Sequence, residues 1–296
     1  MAQAWKCAGL RWVDGGPVLT WVGGRRSALT RGKRVAFGVP AGSVRTCTGA
    51  RGHACPGGVV VPGRSTGARC EECARLDRAH SVAADTIADD PRPYRVYLAW
   101  FGPGLVKVGI TGVERGTARL LEQGAVCFGW LGTGPLMAAR RTEELLRAAL
   151  GVPDRIPYDR KRAVRAALPG TEGERAAEIA ELHGRAVALG GWPESLTPEP
   201  FRCVDHVRAF GLAEGAQGER GPGAVGEVVE LVAGGAVGGE LVAVAGPDLH
   251  LATERGVVVL DTRLMTGWEL VAAEGDRCAV PVREFRGAAG VQDGLF

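Results

Sequence analysis

The sequence predicts an α+β protein in which a small β domain, built from both ends of the chain, carries an inserted α/β module. Three observations predict this class. Short apolar runs broken by glycine lie at both ends of the chain, four cysteines gather in the first third, and a hairpin pattern followed by helical patterns fills the middle. The 296 residues are enough for two domains.

The composition is that of a soluble globular protein, with 46% apolar and 23% charged residues. No stretch approaches the roughly 20 apolar residues of a membrane span. The N-terminus lacks a basic region followed by an apolar core, so no export signal is predicted. We therefore expect a cytoplasmic protein without a membrane partner.

Residues 1–45 are predicted to form short strands joined by glycine turns. The candidate strands are Leu10–Val13, Val18–Val22 and Arg34–Val39. A sheet this small leaves an apolar face bare, so it must pack against another part of the chain.

Residues 46–90 contain the cysteine cluster. Cys47, Cys55, Cys70 and Cys73 follow the arrangement C-x7-C-x14-C-x2-C, and the final C-x-x-C lets two thiolates bind one tetrahedral ion. In a cytosolic chain this pattern favours metal over disulfides. We predict a structural zinc ion in a zinc-ribbon-like segment too short to form its own core. A redox pair is the alternative for the C-x-x-C, and His53 can replace one thiolate.

The residues after this cluster carry weaker signals. Residues 74–90 have a helical composition, and His80 there is predicted to pack or to face solvent, because it has no partner at ligand spacing. The isolated cysteines are predicted to be buried neutral thiols. They are Cys7, Cys127, Cys203 and Cys278.

Residues 91–192 form the predicted α/β module. Two β-type runs, Val96–Phe101 and Leu105–Thr111, surround a Gly-Pro-Gly turn and predict a hairpin. Helical patterns follow, and Thr171 offers a capping box to the last of them. The predicted helices begin after Gly112 and then span Met137–Leu150, Arg160–Leu168 and Glu172–Leu189.

A resemblance rests on this module. Tyr97 in the first run, the Lys107–Thr111 sequence KVGIT in the second, Arg119 in the next helix and Glu143 in a later helix resemble the GIY-YIG nuclease superfamily, in its KIG-T subtype. The chain as a whole resembles an uncharacterised bacterial family, DUF2797, whose centre reads like KVGIT…TARLLEQGA. The resemblance implies a GIY-YIG-like module with Tyr97, Lys107, Gly109, Arg119 and Glu143 as catalytic residues, and with Glu143 as a ligand of Mg²⁺.

These residue types also suit phosphate chemistry on physical grounds. A guanidinium binds phosphate bidentately, and one carboxylate can hold a Mg²⁺ ion otherwise coordinated by water and phosphate. The missing side chain of Gly109 lets a substrate backbone approach. Structural roles remain open for each of them. They are packing for Tyr97, easing of the turn or of packing for Gly109, an ion pair on an exposed face with Glu122 or with the neighbours of Arg115 for Arg119, and an exposed helix position for Glu143.

One residue departs from the nuclease pattern. Lys107 stands where most such nucleases have a second tyrosine. A lysine can act as a base only with a strongly lowered pKa, and it can equally bind phosphate. Between Arg92 and Arg165 there are 13 basic and 6 acidic residues, which is compatible with a nucleic-acid partner and equally with a solvated basic surface. The run Asp159–Arg162 within this part can contact a phosphate backbone, but a solvated face is the favoured interpretation. The open functions are Mg²⁺-dependent phosphodiester cleavage, nucleic-acid binding without catalysis, and action on a small phosphorylated metabolite.

Residues 193–296 turn β-rich again and are predicted to pack with the N-terminal strands. Gly211–Gly226 is predicted to be a mobile loop, and no spacing links Asp205, His206 or Asp261 to the central residues. The candidate strands are Glu227–Val232, Glu240–Val244, Leu249–Ala252, Val257–Asp261 and Trp268–Ala272.

Overall fold

A computed structural model describes residues 3–79, 90–212 and 224–285 of the chain. It divides into two units, Met1–Asp77 with Pro222–Phe296, and Arg78–Gly221. Both contain sheet and helix, so the mixed α+β class is confirmed. The predictions for His80, for the later part of the helix at 74–90 and for most of the Gly211–Gly226 loop lie outside the described residues.

The strands and helices of the described residues are numbered here in chain order. The strands are β1 (Trp5–Val13), β2 (Gly16–Trp21), β3 (Arg26–Ala28), β4 (Arg34–Gly38), β5 (Pro93–Trp100), β6 (Val106–Gly112), β7 (Cys127–Pro135), β8 (Thr197–Pro198), β9 (Val204–Asp205), β10 (Gly226–Val228), β11 (Ala236–Ala245), β12 (Asp248–Thr253), β13 (Gly256–Asp261), β14 (Glu269–Ala272) and β15 (Val282–Glu284). The helices are α1 (Glu71–Ala79), α2 (Ala118–Gln123), α3 (Leu136–Leu150), α4 (Tyr158–Val164), α5 (Glu172–Val187), α6 (Val207–Phe210) and α7 (Thr262–Met265).

The first unit is built on one ten-stranded sheet, in the order β15-β10-β13-β12-β11-β4-β14-β1-β2-β3. Strand β4 pairs antiparallel with both β11 and β14, with Val35 opposite Gly239 and Phe37 opposite Ala272. The strands of the two chain ends therefore hydrogen-bond directly to one another.

Strand β1 begins at Trp5, five residues before the predicted start at Leu10. Its first residues pair with β14, and the later ones pair with β2. The register shifts between Cys7 and Gly9, where Gly9 has a positive φ of 118°. Such a bulge breaks the alternation of apolar residues, which is why the sequence pattern showed only the second half of the strand.

The second unit contains a five-stranded sheet ordered β6-β5-β7-β8, with β9 also paired to β7. Alternate residues of β5 enter two different cores. Val96, Leu98 and Trp100 belong to the core that includes residues of α3 and α5. Tyr97 and Ala99 belong to the other core, which includes Leu120 of α2 and the partly buried Val164 of α4.

The boundary between the two units lies later in the chain than the sequence indicated. The sequence pattern places residues 193–212 in the C-terminal β region, but Thr197 pairs with Thr133 and Val204 pairs with Phe128 of β7. Strand β7 has an open edge, and these two short strands occupy it because its backbone groups need partners. Among the described residues, every helix is too short or too polar to cross a membrane.

Candidate functional site

The four cysteines singled out from the sequence converge in the first unit. Their Sγ atoms all lie within 4.8 Å of one another. Cys47 and Cys73 are buried, and Cys55 and Cys70 are half-buried. The backbone N–H groups of Gly49 and Cys70 donate to the Cys47 sulfur at 3.3 and 3.2 Å. Such donors stabilise a thiolate, because they place partial positive charge against the sulfur.

This cluster fits a four-thiolate metal site. At a Zn–S distance of about 2.3 Å, the sulfurs of a tetrahedral site lie about 3.8 Å apart, which is within the spread seen here. Backbone hydrogen bonds, led by the Val59 N–H, lower the pKa of Cys55 to about 7, whereas burial raises the pKa of Cys73 to about 12. His53 is exposed and is not part of the cluster, so it does not replace a thiolate.

Arg45 anchors the loops around this cluster. Its side chain is 1% exposed, and its guanidinium donates to the carbonyls of Pro62, Ser65, Arg263 and Thr266 at 2.5 to 2.8 Å. Burial lowers the pKa of Arg45, but a guanidinium remains charged. The sequence did not mark this residue, because a buried arginine looks like any other arginine in a chain rich in them.

The other cysteines differ partly from the prediction. Cys7 is buried, and burial raises the pKa of its thiol to about 12. Cys127 is buried as well, and its thiol donates to the Arg175 carbonyl at 3.2 Å. The half-buried Cys203 lies close enough to shift its pKa, so these two cysteines are not isolated. Cys278 is half-buried.

The hairpin of the second unit places Tyr97 opposite Gly109. A Cβ atom on Gly109 would overlap the hydroxyl oxygen and Cζ of Tyr97. Gly109 is therefore required because the Tyr97 ring fills the space above it. The expectation that this glycine leaves room for a substrate backbone is wrong for the structure as it stands.

Tyr97 is 1% exposed, and its hydroxyl accepts a hydrogen bond from the Gln123 amide at 2.9 Å. Burial raises the pKa of the Tyr97 hydroxyl, while hydrogen bonds from Gln123 and Arg119 act in the opposite direction. The ring of Trp130 stands edge-on to Tyr97 with 6.3 Å between centroids. Tyr97 is thus a neutral, well-packed phenol.

Lys107 lies next to this tyrosine on the partner strand. Its side chain is 8% exposed, its Nζ atom is 5.7 Å from the Tyr97 ring centroid, and it donates to the Asp154 carbonyl at 3.1 Å. Burial and the charge of Arg119 lower the pKa of Lys107 to about 8. A substantial fraction of this amine is therefore neutral slightly above neutral pH.

Glu143 of α3 lies close enough to Tyr97 and Lys107 for its charge to act on both. It is half-buried, whereas its neighbour Glu144 is exposed. Burial and the charge of Asp154 raise the pKa of Glu143, while Lys107 acts against the rise. Glu143 is therefore coupled to the hairpin and is not a plain surface carboxylate.

Arg119 is exposed on α2. The alternative that it pairs with Glu122 is wrong, because Arg115 makes that ion pair, at 2.6 Å. The Arg119 charge instead acts on Tyr97 and on Lys107. Its guanidinium remains accessible to an anion.

The five residues predicted from the sequence therefore lie close together around the Tyr97 side chain: Tyr97, Lys107 and Gly109 of the hairpin, Arg119 of α2 and Glu143 of α3. Two further residues, which the sequence did not single out, lie with them. Gln123 bonds to Tyr97, and Asp154 accepts from Lys107 and influences Glu143. The position of Gln123 four residues after Arg119 is a signal that could have found it, because such residues share one helix face.

Other residues noted in the sequence have structural partners. Lys161, expected in a solvated basic run, is 3% exposed, lies over the rings of Phe101 and Tyr158, and donates to the Gln123 carbonyl at 3.1 Å. Asp205 pairs with Arg175 at 2.7 Å. The two other residues noted with Asp205 also have partners: His206 Nδ1 lies 2.9 Å from the Ala125 carbonyl oxygen, and Asp261 caps α7.

Comparison with protein families gives one match. The model of the DUF2797 family, described as a protein of unknown function, matches residues 32–270. Comparison with curated proteins and with solved structures gives no match.

Proposed function

The chain belongs to the DUF2797 family of proteins of unknown function, and we propose that its second unit is a GIY-YIG-like module that cleaves phosphodiester bonds in nucleic acid with the help of Mg²⁺. The observation that supports this proposal is the meeting of Lys107, Arg119 and Glu143 beside the buried Tyr97. Two cations and one carboxylate with a raised pKa at one place are typical of a site that handles phosphate.

Each residue has a role in the proposed reaction. The exposed guanidinium of Arg119 binds a non-bridging oxygen of the phosphodiester. The amine of Lys107, with its pKa near 8, takes the proton of the attacking water. The oxygen of that water forms a bond to phosphorus, the bond to the leaving oxygen breaks, and the leaving oxygen takes a proton from solvent.

Mg²⁺ bound through Glu143 would neutralise the charge that develops on the leaving oxygen. Within the described ranges, the four thiols are the only group of three or more histidine, cysteine or acidic side chains able to share an ion. Glu143 would therefore hold Mg²⁺ together with water and phosphate oxygens, as this ion prefers.

We further propose that the four cysteines bind Zn²⁺ and that the protein works in the cytoplasm. The mutual distances of the four sulfurs support the metal. A reducing compartment keeps such thiols free to bind it. The zinc ion would stabilise the loops of the first unit and take no part in the chemistry.

A plasmid-nicking assay tests the cleavage. Supercoiled DNA is incubated with Mg²⁺ and with wild type, Arg119→Ala or Glu143→Ala. We expect each substitution to lower the nicking rate by about 100-fold or more, because each removes a group that stabilises transition-state charge.

The matched control is Glu144→Ala, which removes an exposed carboxylate one position along the same helix. It should nick like the wild type. Equal nicking by all four proteins would show that a contaminating nuclease, and not this site, cleaves the DNA.

A second function is favoured by one observation. Tyr97 is buried and neutral, and Lys107 replaces the tyrosine usual at its position, which suits binding of nucleic acid without cleavage. Affinity that falls steeply with salt, in the absence of nicking with any divalent metal, would select this function. Lys107→Arg separates the two: it should retain binding through its charge and lose cleavage, because a guanidinium does not act as a base.

A further inference from the structure

The hydroxyl of Tyr97 lies among hydrogen-bond donors. The Gln123 amide donates to it at 2.9 Å, and the positive charge of Arg119 acts on the same hydroxyl. A phenol oxygen accepts through its lone pairs and has one proton to donate. Both neighbours can only donate through these groups, so neither takes that proton.

The proton of Tyr97 thus has no acceptor among the residues that the structure describes. Across residues 3–79, 90–212 and 224–285, no carbonyl or carboxylate oxygen accepts it. A buried O–H without an acceptor is costly unless a ligand or water receives its hydrogen bond. The two cations that flank Tyr97, Lys107 and Arg119, are groups that attract an anion to this place.

We propose that Gln123 is a positioning residue that fixes Tyr97 as a hydrogen-bond donor to a phosphoryl oxygen, an inference that rests on the proposed phosphate-handling function. Tyr97 is then a binding group and not a base. Gln123 acts through the tyrosine, because its amide donates to the Tyr97 hydroxyl at 2.9 Å.

The backbone holds Gln123 in place independently of its side chain. Its carbonyl accepts from Lys161 at 3.1 Å, and the carbonyl of Glu122 accepts from the Tyr158 hydroxyl at 3.3 Å. Gly124 ends α2 in the left-handed conformation, with φ of 72°. Gln123→Leu therefore removes the amide donor and leaves these anchors intact, so the variant is expected to fold.

The chain contains three tyrosines, Tyr94, Tyr97 and Tyr158, so full-length protein labelled with 3-fluorotyrosine gives three ¹⁹F resonances. Tyr→Phe variants assign them. We expect Gln123→Leu to shift the Tyr97 resonance, because the amide hydrogen bond is lost. The control Glu122→Gln, which alters the neighbouring residue, should leave that resonance unchanged. An unchanged Tyr97 resonance in Gln123→Leu overturns the proposal.

Titration with inorganic phosphate tests the donor role directly. The Tyr97 resonance of the wild type should move as phosphate binds, and Gln123→Leu should need about threefold to tenfold more phosphate for the same change, the factor expected of one hydrogen bond. Gln123→Glu should bind still more weakly, because the carboxylate accepts the Tyr97 proton and repels the anion. No movement in the wild type, or equal affinities in all three proteins, overturns the proposal.

These outcomes can be told apart from a failure of the proposed cleavage. If the wild type does not nick DNA but its Tyr97 resonance responds to phosphate through Gln123, cleavage is wrong and the positioning role stands. If the wild type nicks DNA and Gln123→Leu has the same kcat and KM, the positioning role is wrong and cleavage stands.

Discussion

The two units of this protein each contain a cluster of reactive side chains, and the clusters differ in how completely their groups are satisfied. In the first unit the four thiols face one another, and the guanidinium of the buried Arg45 donates hydrogen bonds to four backbone carbonyls. In the second unit Arg119 is exposed, and the proton of Tyr97 has no acceptor among the described residues. Polar groups that satisfy one another stabilise a fold, whereas polar groups left without partners are available to a ligand.

The largest effect is expected from the cysteines. Cys70→Ser removes one of the four proposed zinc ligands, so the first unit should lose the proposed metal and much of its stability, since structural zinc contributes on the order of 10 kcal/mol in small zinc domains. Zinc content by elemental analysis and thermal unfolding by circular dichroism measure this. Cys278→Ser, outside the cluster, is the control. Less than about half an equivalent of zinc in the wild type would contradict the site.

Removing Arg45 tests the same unit without touching a ligand. Arg45→Met leaves four carbonyls without their donor and should lower the free energy of unfolding by about 3–5 kcal/mol. Arg34→Met breaks an exposed ion pair with Asp276 and should cost under about 1 kcal/mol. Similar costs for the two variants, measured by denaturant unfolding, would mean that Arg45 is not an anchor.

Lys107 should behave in the opposite way to Arg45. Its amine is buried with a pKa lowered from 10.5 to about 8, so its charge is unfavourable in the folded state. Lys107→Met should therefore raise stability by up to about 3 kcal/mol below pH 8, where the wild type is charged in both states. The gain should fade between pH 8 and 10.5, because the folded wild type then becomes neutral.

That variant should also lose the proposed cleavage, as measured by the nicking assay. A gain in stability together with a loss of cleavage would show that the buried amine of Lys107 lowers stability and serves the proposed activity. A loss of stability in Lys107→Met across pH 6 to 10 would instead show that Lys107 is a structural residue like Arg45.

The smallest effect is expected from His206 of the second unit, whose Nδ1 atom lies within hydrogen-bond distance of the Ala125 carbonyl oxygen. Burial lowers its pKa, so the folded state resists protonation while the unfolded state binds a proton below about pH 6.5. Stability of this unit should therefore fall as the pH drops below 6.5, with a slope of at most about 1.4 kcal/mol per pH unit for one proton. His206→Asn should flatten this slope. If denaturant unfolding gives the variant the same dependence of unfolding free energy on pH as the wild type, groups other than His206 cause that dependence.

Much of the hairpin and of the later helices could be predicted from local pattern. The runs around Gly102–Gly104 became β5 and β6, and Thr171 with Glu174 forms the predicted capping box of α5. These features depend on residues that are close together in the chain, so local sequence patterns predict them. The short strands β8 and β9 could not be predicted, because only the open edge of β7 makes them strands.

The candidate site residues can be named from the sequence, because thiols at ligand spacing and the KVGIT run with Arg119 and Glu143 are local patterns of residue types. The tertiary structure alone decided what surrounds them. It buried Lys107 and lowered its pKa, filled the space above Gly109 with the Tyr97 ring, and set Gln123 against the Tyr97 hydroxyl. The physical reason is that burial and hydrogen bonding join residues far apart in the chain, and one-dimensional spacing does not record them.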